Sequence, residues 1–100
     1  MVVVRNVFRL KFGQAAQAHP HWKEGLALAK KLGFAPRGAR LLVDQVGTFY
    51  TVVLETTHDS LADYEQSAEG LLSQPEWKAW YQKLVPLTES GYREILKVIS

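Results

Sequence analysis

A chain of 100 residues, 47% hydrophobic and 22% charged, has room for one domain (residues 1–100) and the composition of a folded protein, which excludes disorder. Its net charge of +2 comes from 12 basic side chains interleaved with 10 acidic ones, and the longest basic run is Lys30-Lys31, so no basic stripe marks a nucleic-acid binder. Without cysteine there are no disulfides, thiolate ligands or cysteine nucleophiles, and no stretch approaches the roughly 18–20 apolar residues of a membrane span.

Residues 2–12 alternate. Val2, Val4, Asn6, Phe8, Leu10 and Phe12 fall on one side; Val3, Arg5, Val7, Arg9 and Lys11 fall on the other. Period two over that length predicts a strand, with the even side taken as the one that meets the helices. The same alternation, broken by Arg5, Arg9 and Lys11, reads as mature structure and not as a leader, so a cytoplasmic protein is expected. His19-Pro20 predicts a helix entry, because proline suits the first turn. Trp22, Leu26, Ala29 and Leu32 then recur at helical spacing, and Gly33 ends the run as a residue free to take positive φ.

Ala35-Pro36-Arg37-Gly38 signals a turn. Arg40 to Val46, a turn at Gly47, and Thr48 to Glu55 predict a hairpin, with Thr56 to Asp59 as a loop. Ser60 with Asp63 three residues on resembles a capping box. The helix it opens presents Leu61, Tyr64, Ala68, Leu71 and Leu72. Gln74-Pro75 forces a restart, after which Trp77, Trp80, Tyr81 and Leu84 share a face and Pro86 closes the segment. Gly91 to Ile99 alternates again as a last strand.

The order β-α-β-β-α-β predicts an α+β, ferredoxin-like fold: a four-stranded antiparallel sheet with its helices on one face. The bare face, expected to show Val3, Val7 and the Arg93/Ile95 side of the last strand, calls for cover. A second copy of the chain is the economical cover, so a homodimer through that face is expected.

Asn6 is the most informative residue. An amide on an apolar strand face needs hydrogen-bond partners, either as a satisfied core group or as a polar anchor in an apolar pocket. Trp22, Tyr50, Tyr64, Trp77 and Tyr81, with Trp80, are either core or the lining of that pocket. With Asn6 they form the candidate ligand-binding set, for a small aromatic or quinone-like molecule. His19 and His21 flank Pro20 and would need distant His58 to complete a triad, with no cysteine to help, so neither metal nor cofactor is expected. Arg37 and Arg40 read as turn residues, and no serine sits in a nucleophile-elbow setting.

The segments Val4-Arg5-Asn6-Val7-Phe8-Arg9-Leu10-Lys11-Phe12-Gly13 and Gln74-Pro75-Glu76-Trp77-Lys78-Ala79-Trp80-Tyr81-Gln82-Lys83-Leu84, with the element order and length, resemble the dimeric α+β barrel superfamily. The likeness is greatest to its NIPSNAP-like and antibiotic-biosynthesis-monooxygenase-like members. It implies a homodimer whose sheets form a shared barrel, with a ligand cleft between each sheet and its helices. Activities in the superfamily range over cofactor-free monooxygenases, haem-degrading enzymes, isomerases, cyclases and proteins of unknown role. The haem-degrading branch pairs a first-strand Asn with a Trp and a His on later helices. Asn6 fits that pattern, while Tyr64 and Tyr81 stand near the other two positions and depart from it. The resemblance therefore implies a small-molecule cleft in a homodimer of uncharacterised role, either a cofactor-independent monooxygenase-like enzyme or a non-catalytic metabolite-binding or structural module.

Overall fold

The computed structural model describes residues 1–100. The elements run β1 (Val2–Leu10), α1 (Ala15–Lys31), β2 (Ala39–Val43), β3 (Thr51–His58), α2 (Leu61–Leu72), α3 (Pro75–Leu84), a 3-10 turn (Val85–Leu87) and β4 (Thr88–Lys97). All strand pairs are antiparallel and the sheet order is β2-β3-β1-β4. This is the expected α+β, ferredoxin-like arrangement, with consecutive β2 and β3 as a hairpin, β3 and β1 in the middle, and β4 on the edge beside β1.

Strand alternation sorts the sheet into two faces. Val4, Leu10, Val52 and Leu54 pack with Trp22 and Ala29 of α1, Tyr64 and Leu71 of α2, and Trp77, Trp80 and Leu84 of α3 in one cluster. The even side of β1, the one assumed to do so, thus meets all three helices. Val7 and Val53 are opposite one another on the other face and outside that cluster.

Four boundaries differ from the sequence pattern, each for a local reason. The first helix begins at Ala15, so Pro20 lies inside it. Proline there forgoes a bond to the Ala16 carbonyl, and the burial of Ala18 and Trp22 on either side offsets that loss. The β2–β3 connection is wider than a turn at Gly47. The Asp44 carboxylate accepts from the Thr51 N–H at 2.9 Å and the Thr51 hydroxyl donates to the Thr48 carbonyl at 2.8 Å, so side chains close a loop that a ladder would otherwise continue. At its far end β3 runs on to His58, because Val4, Val3 and Val2 of β1 pair with Thr56, Thr57 and His58. Finally, β4 begins at Thr88, where the Lys11 N–H donates to the Leu87 carbonyl and the β1–β4 ladder starts. Gly91 is consequently mid-strand, opposite Phe8. A Cβ there would lie 2.9 Å from the Phe8 ring.

The register of β4 carries a larger correction. Asn6 pairs with Arg93 and Val4 with Ile95, so Arg93 and Ile95 belong to the helix side. Tyr92, Glu94 and Leu96 take the bare face, the reverse of the expected parity. Both sides of β4 carry apolar and charged residues, so its composition alone could not choose between them.

Ser60 caps α2 as expected, its hydroxyl accepting from the Asp63 N–H at 3.1 Å, and Pro75 opens α3 at its first position. No helix is long and apolar enough to cross a membrane.

Candidate functional site

Between sheet and helices lies an open cleft of about 540 Å³, and 14 of the 20 residues around it are hydrophobic. Its sheet side is formed by Asn6 and Phe8 of β1, Leu54 of β3, and Gly91 and Arg93 of β4. Tyr64 and Leu71 of α2 and Trp77, Trp80 and Tyr81 of α3 supply the helical side. Five of the six sequence candidates therefore converge: Asn6, Trp22, Tyr64, Trp77 and Tyr81 all line one space.

Tyr50 does not. It sits at φ +60° at the end of the β2–β3 loop, its carbonyl accepts from the Leu10 N–H, and its ring meets Phe12 edge-on at 4.9 Å. The loop closure through Asp44 and Thr51 carries it past the end of the sheet, into a separate hollow beside Arg9 and Phe49.

The aromatic side chains divide into support and surface. Trp80 is buried and held from both ends. Its indole N–H donates to the His21 carbonyl at 2.8 Å, and the His21 ring Nε2 donates to the Trp80 carbonyl at 3.0 Å, with the two rings stacked at 5.0 Å. His21 is thereby committed to clasping α1 onto α3. Trp22 stands edge-on to Trp80 at 5.3 Å and against Phe8 at 5.0 Å. Trp77 continues the row at 4.6 Å from Trp80. Tyr81, one residue further round α3, is 46% exposed and turns its ring to the open side.

Polar chemistry concentrates at one point. The Arg93 Nε–H donates to Asn6 Oδ1 at 2.6 Å, and the Arg93 guanidinium lies 5.8 Å from the centre of the Tyr64 ring. Asn6 is thus an anchor, and what it anchors is a cation. Arg93 is the residue that sequence reasoning missed: with the parity of β4 reversed it was assigned to the bare face. The signal that finds it is the Asn6–Arg93 cross-strand pair, which only the register reveals. Glu89 is the one carboxylate on the cleft wall, and the lining includes no histidine or cysteine.

His58 lies behind Tyr64, 2% exposed, with its Nε2 and the Thr56 hydroxyl 2.9 Å apart and its ring against Tyr64 and Phe34. Burial lowers its pKa from the ordinary value of 6.5, against the opposing pull of Asp63 and Asp59. His19, His21 and His58 do not meet, and no three potential metal ligands cluster anywhere in the chain.

Comparison with known proteins agrees with this architecture. A NIPSNAP domain protein from Burkholderia xenovorans superposes with a TM-score of 0.85 at 22% identity, covering 100% of this chain and 96% of that one. An antibiotic biosynthesis monooxygenase superposes with a TM-score of 0.77 at 12% identity over 100% of both chains. A protein of unknown function from Bacteroides fragilis NCTC 9343, described as dimeric and ferredoxin-like, superposes with a TM-score of 0.72 at 19% identity, covering 97% and 96%. At these identities the likeness speaks for the fold alone, and no curated protein matches the chain in sequence. The pattern of the NIPSNAP family, however, matches residues 5–100. On that match over nearly its whole length, the chain belongs to the NIPSNAP family.

Proposed function

We propose that the protein is a homodimer that binds a small aromatic or quinone-like molecule between its sheet and its helices. The observation that carries this reading is the cleft. Its 540 Å³ falls within the roughly 300–1,000 Å³ of small-molecule sites, and its build is theirs: mostly apolar walls with a few convergent polar groups. A solid interior of the same aromatics would have buried Tyr81 and left Arg93 no opening. The homodimer is supported by the bare sheet face, where Tyr92 is 61% and Leu96 47% exposed.

A second reading gives the cleft a reaction. Oxygenation of an electron-rich quinol without a cofactor asks the protein only to hold the substrate in a dry pocket and to accept its proton. Glu89 favours this reading, because it brings the one carboxylate to a mostly apolar wall.

Thermal shift in the presence of menadione, with 2-naphthol as the phenolic probe, tests the binding reading. The lack of cysteine removes the usual covalent side reaction of quinones. A probe at one hundred times its dissociation constant stabilises the folded chain by ~2.7 kcal/mol, a rise on the order of 10 °C for a domain of this size. No shift with either probe up to its solubility limit would remove the quinone and phenol reading of the cleft. Oxygen uptake with the reduced quinone, abolished in Glu89→Gln, separates the enzyme from the binder.

A further inference from the structure

The cleft has one cation, and half of that cation is unused. Arg93 reaches the cleft from β4 and spends its Nε–H on Asn6 Oδ1. No carboxylate stands within ion-pair distance of it; the pairs in the molecule join Arg5 and Arg40 to Glu55, Arg37 to Asp59, Lys31 to Glu76 and His21 to Glu24. Its chain neighbour Glu94 points to the opposite face, since successive strand residues alternate. Glu89 also lines the cleft, but it is four residues away at a break in the β1–β4 register and makes no ion pair with Arg93. A guanidinium offers two planar edges to a partner, one through Nε and one through its two terminal nitrogens. With the first edge taken by Asn6, the second is free, and its plane is steadied by the bond to Asn6 and by the Tyr64 ring at 5.8 Å.

We infer that the ligand of this cleft is a carboxylate on a flat apolar body, its two oxygens received by the terminal nitrogens of Arg93. This rests on the reading of the cleft as a small-molecule site and adds the charge and shape of the head group. A fork of two parallel N–H groups matches a planar carboxylate in geometry. One cation matches one negative charge, whereas a phosphate monoester would bring nearly two into a wall that is mostly apolar and carries Glu89. The body then lies among Tyr64, Leu71, Trp77 and Tyr81, where an aromatic ring stacks and a sugar would leave its hydroxyls unpaired. Asn6 acts in this arrangement as a positioning residue. It does not touch the ligand but sets the guanidinium.

Calorimetric titration with 2-naphthoate and with its neutral isostere 2-naphthamide tests the inference. The wild-type protein is expected to bind the carboxylate roughly 10- to 100-fold more tightly than the amide. Arg93→Gln should abolish that preference while changing amide affinity less than about threefold, because the apolar contacts remain. Arg93→Lys keeps the charge and loses the fork; it should retain only a several-fold preference, and it guards against a glutamine variant that fails to fold. Equal wild-type affinity for the two probes overturns the carboxylate inference and leaves the cleft reading standing. Binding of neither probe overturns both.

Discussion

Asn6 illustrates what a residue can and cannot disclose by itself. An amide on an apolar strand face announces a polar partner, and so much was readable from period two alone. The identity of the partner was not, since it depends on which residue of a strand 87 positions away lies opposite. His58 makes the same point in reverse. As one histidine of three it carried no distinguishing signal, yet the extension of β3 places it in the core. Its lowered pKa has a consequence for stability. The folded state disfavours the charged ring, while the unfolded chain titrates near 6.5. Below that value the unfolded chain binds more protons, so stability is present above pH 6.5 and is lost as pH falls from there towards the depressed folded pKa. Melting curves between pH 7.5 and pH 5 should therefore slope downward on acidification, and His58→Gln, which keeps a hydrogen bond to Thr56 without a titrating ring, should flatten the slope. Parallel curves for the two proteins would mean that His58 protonates as freely in the fold as outside it.

Helical elements are governed by competition between backbone propensity and what the helix packs against, and two glycines separate the terms. Gly25 faces Trp80 across the α1–α3 contact. A Cβ at Gly25 would lie 2.8 Å from Trp80 Cη2 and nearer still to two other ring carbons. Trp80 has no room to yield, because both its indole N–H and its carbonyl are bonded to His21. Gly70 lies on the exposed side of α2 with nothing near it. Glycine to alanine gains about 1 kcal/mol of helix propensity at either site. Gly70→Ala should keep most of that and melt several degrees higher. In Gly25→Ala, overpacking of about 1–3 kcal/mol or more reverses the sign, and the protein should melt lower. If both variants melted higher, the clasp would be looser than its hydrogen bonds indicate. The same competition explains how much of each element was legible. The N-cap at Ser60 and the restart at Pro75 are local devices and are legible in the sequence. Pro20 was misread as a helix start, because the turns before it are held by packing of Ala18 and not by a capping signal; Gln14 makes no side-chain cap. The β2–β3 loop escaped for a related reason: Asp44 and Thr51 close it through side chains that no turn dipeptide announces.

The chain as a whole is a slab. Its Cα atoms span 36 × 33 × 18 Å, the thickness of one sheet and one helical layer, and only 19 of 100 residues are buried. Across the bare face the register sets up rows. Arg40, Glu55, Arg5 and Glu94 form one from β2 to β4, with alternating signs and with Arg40 to Glu55 at 2.8 Å. Leu42, Val53, Val7 and Tyr92 form an apolar row beside it. A two-fold axis parallel to the strands would bring the arginine end of one charged row over the glutamate end of its twin. An axis along the row would set like over like. A homodimer through this face is therefore expected to favour the first arrangement over the second, with its stability depending on the apolar positions. Leu96 is the informative one: about half exposed in a single chain, it can be changed without disturbing the core. Leu96→Glu buries two charges in a symmetric interface, at about 2 kcal/mol or more for each copy, which weakens association roughly a thousandfold. Sedimentation should show a dimer for the wild type and single, folded chains for the variant at the same concentration. A variant that stayed dimeric would move the interface to another surface, and a wild type that ran as single chains at high concentration would leave this face to water.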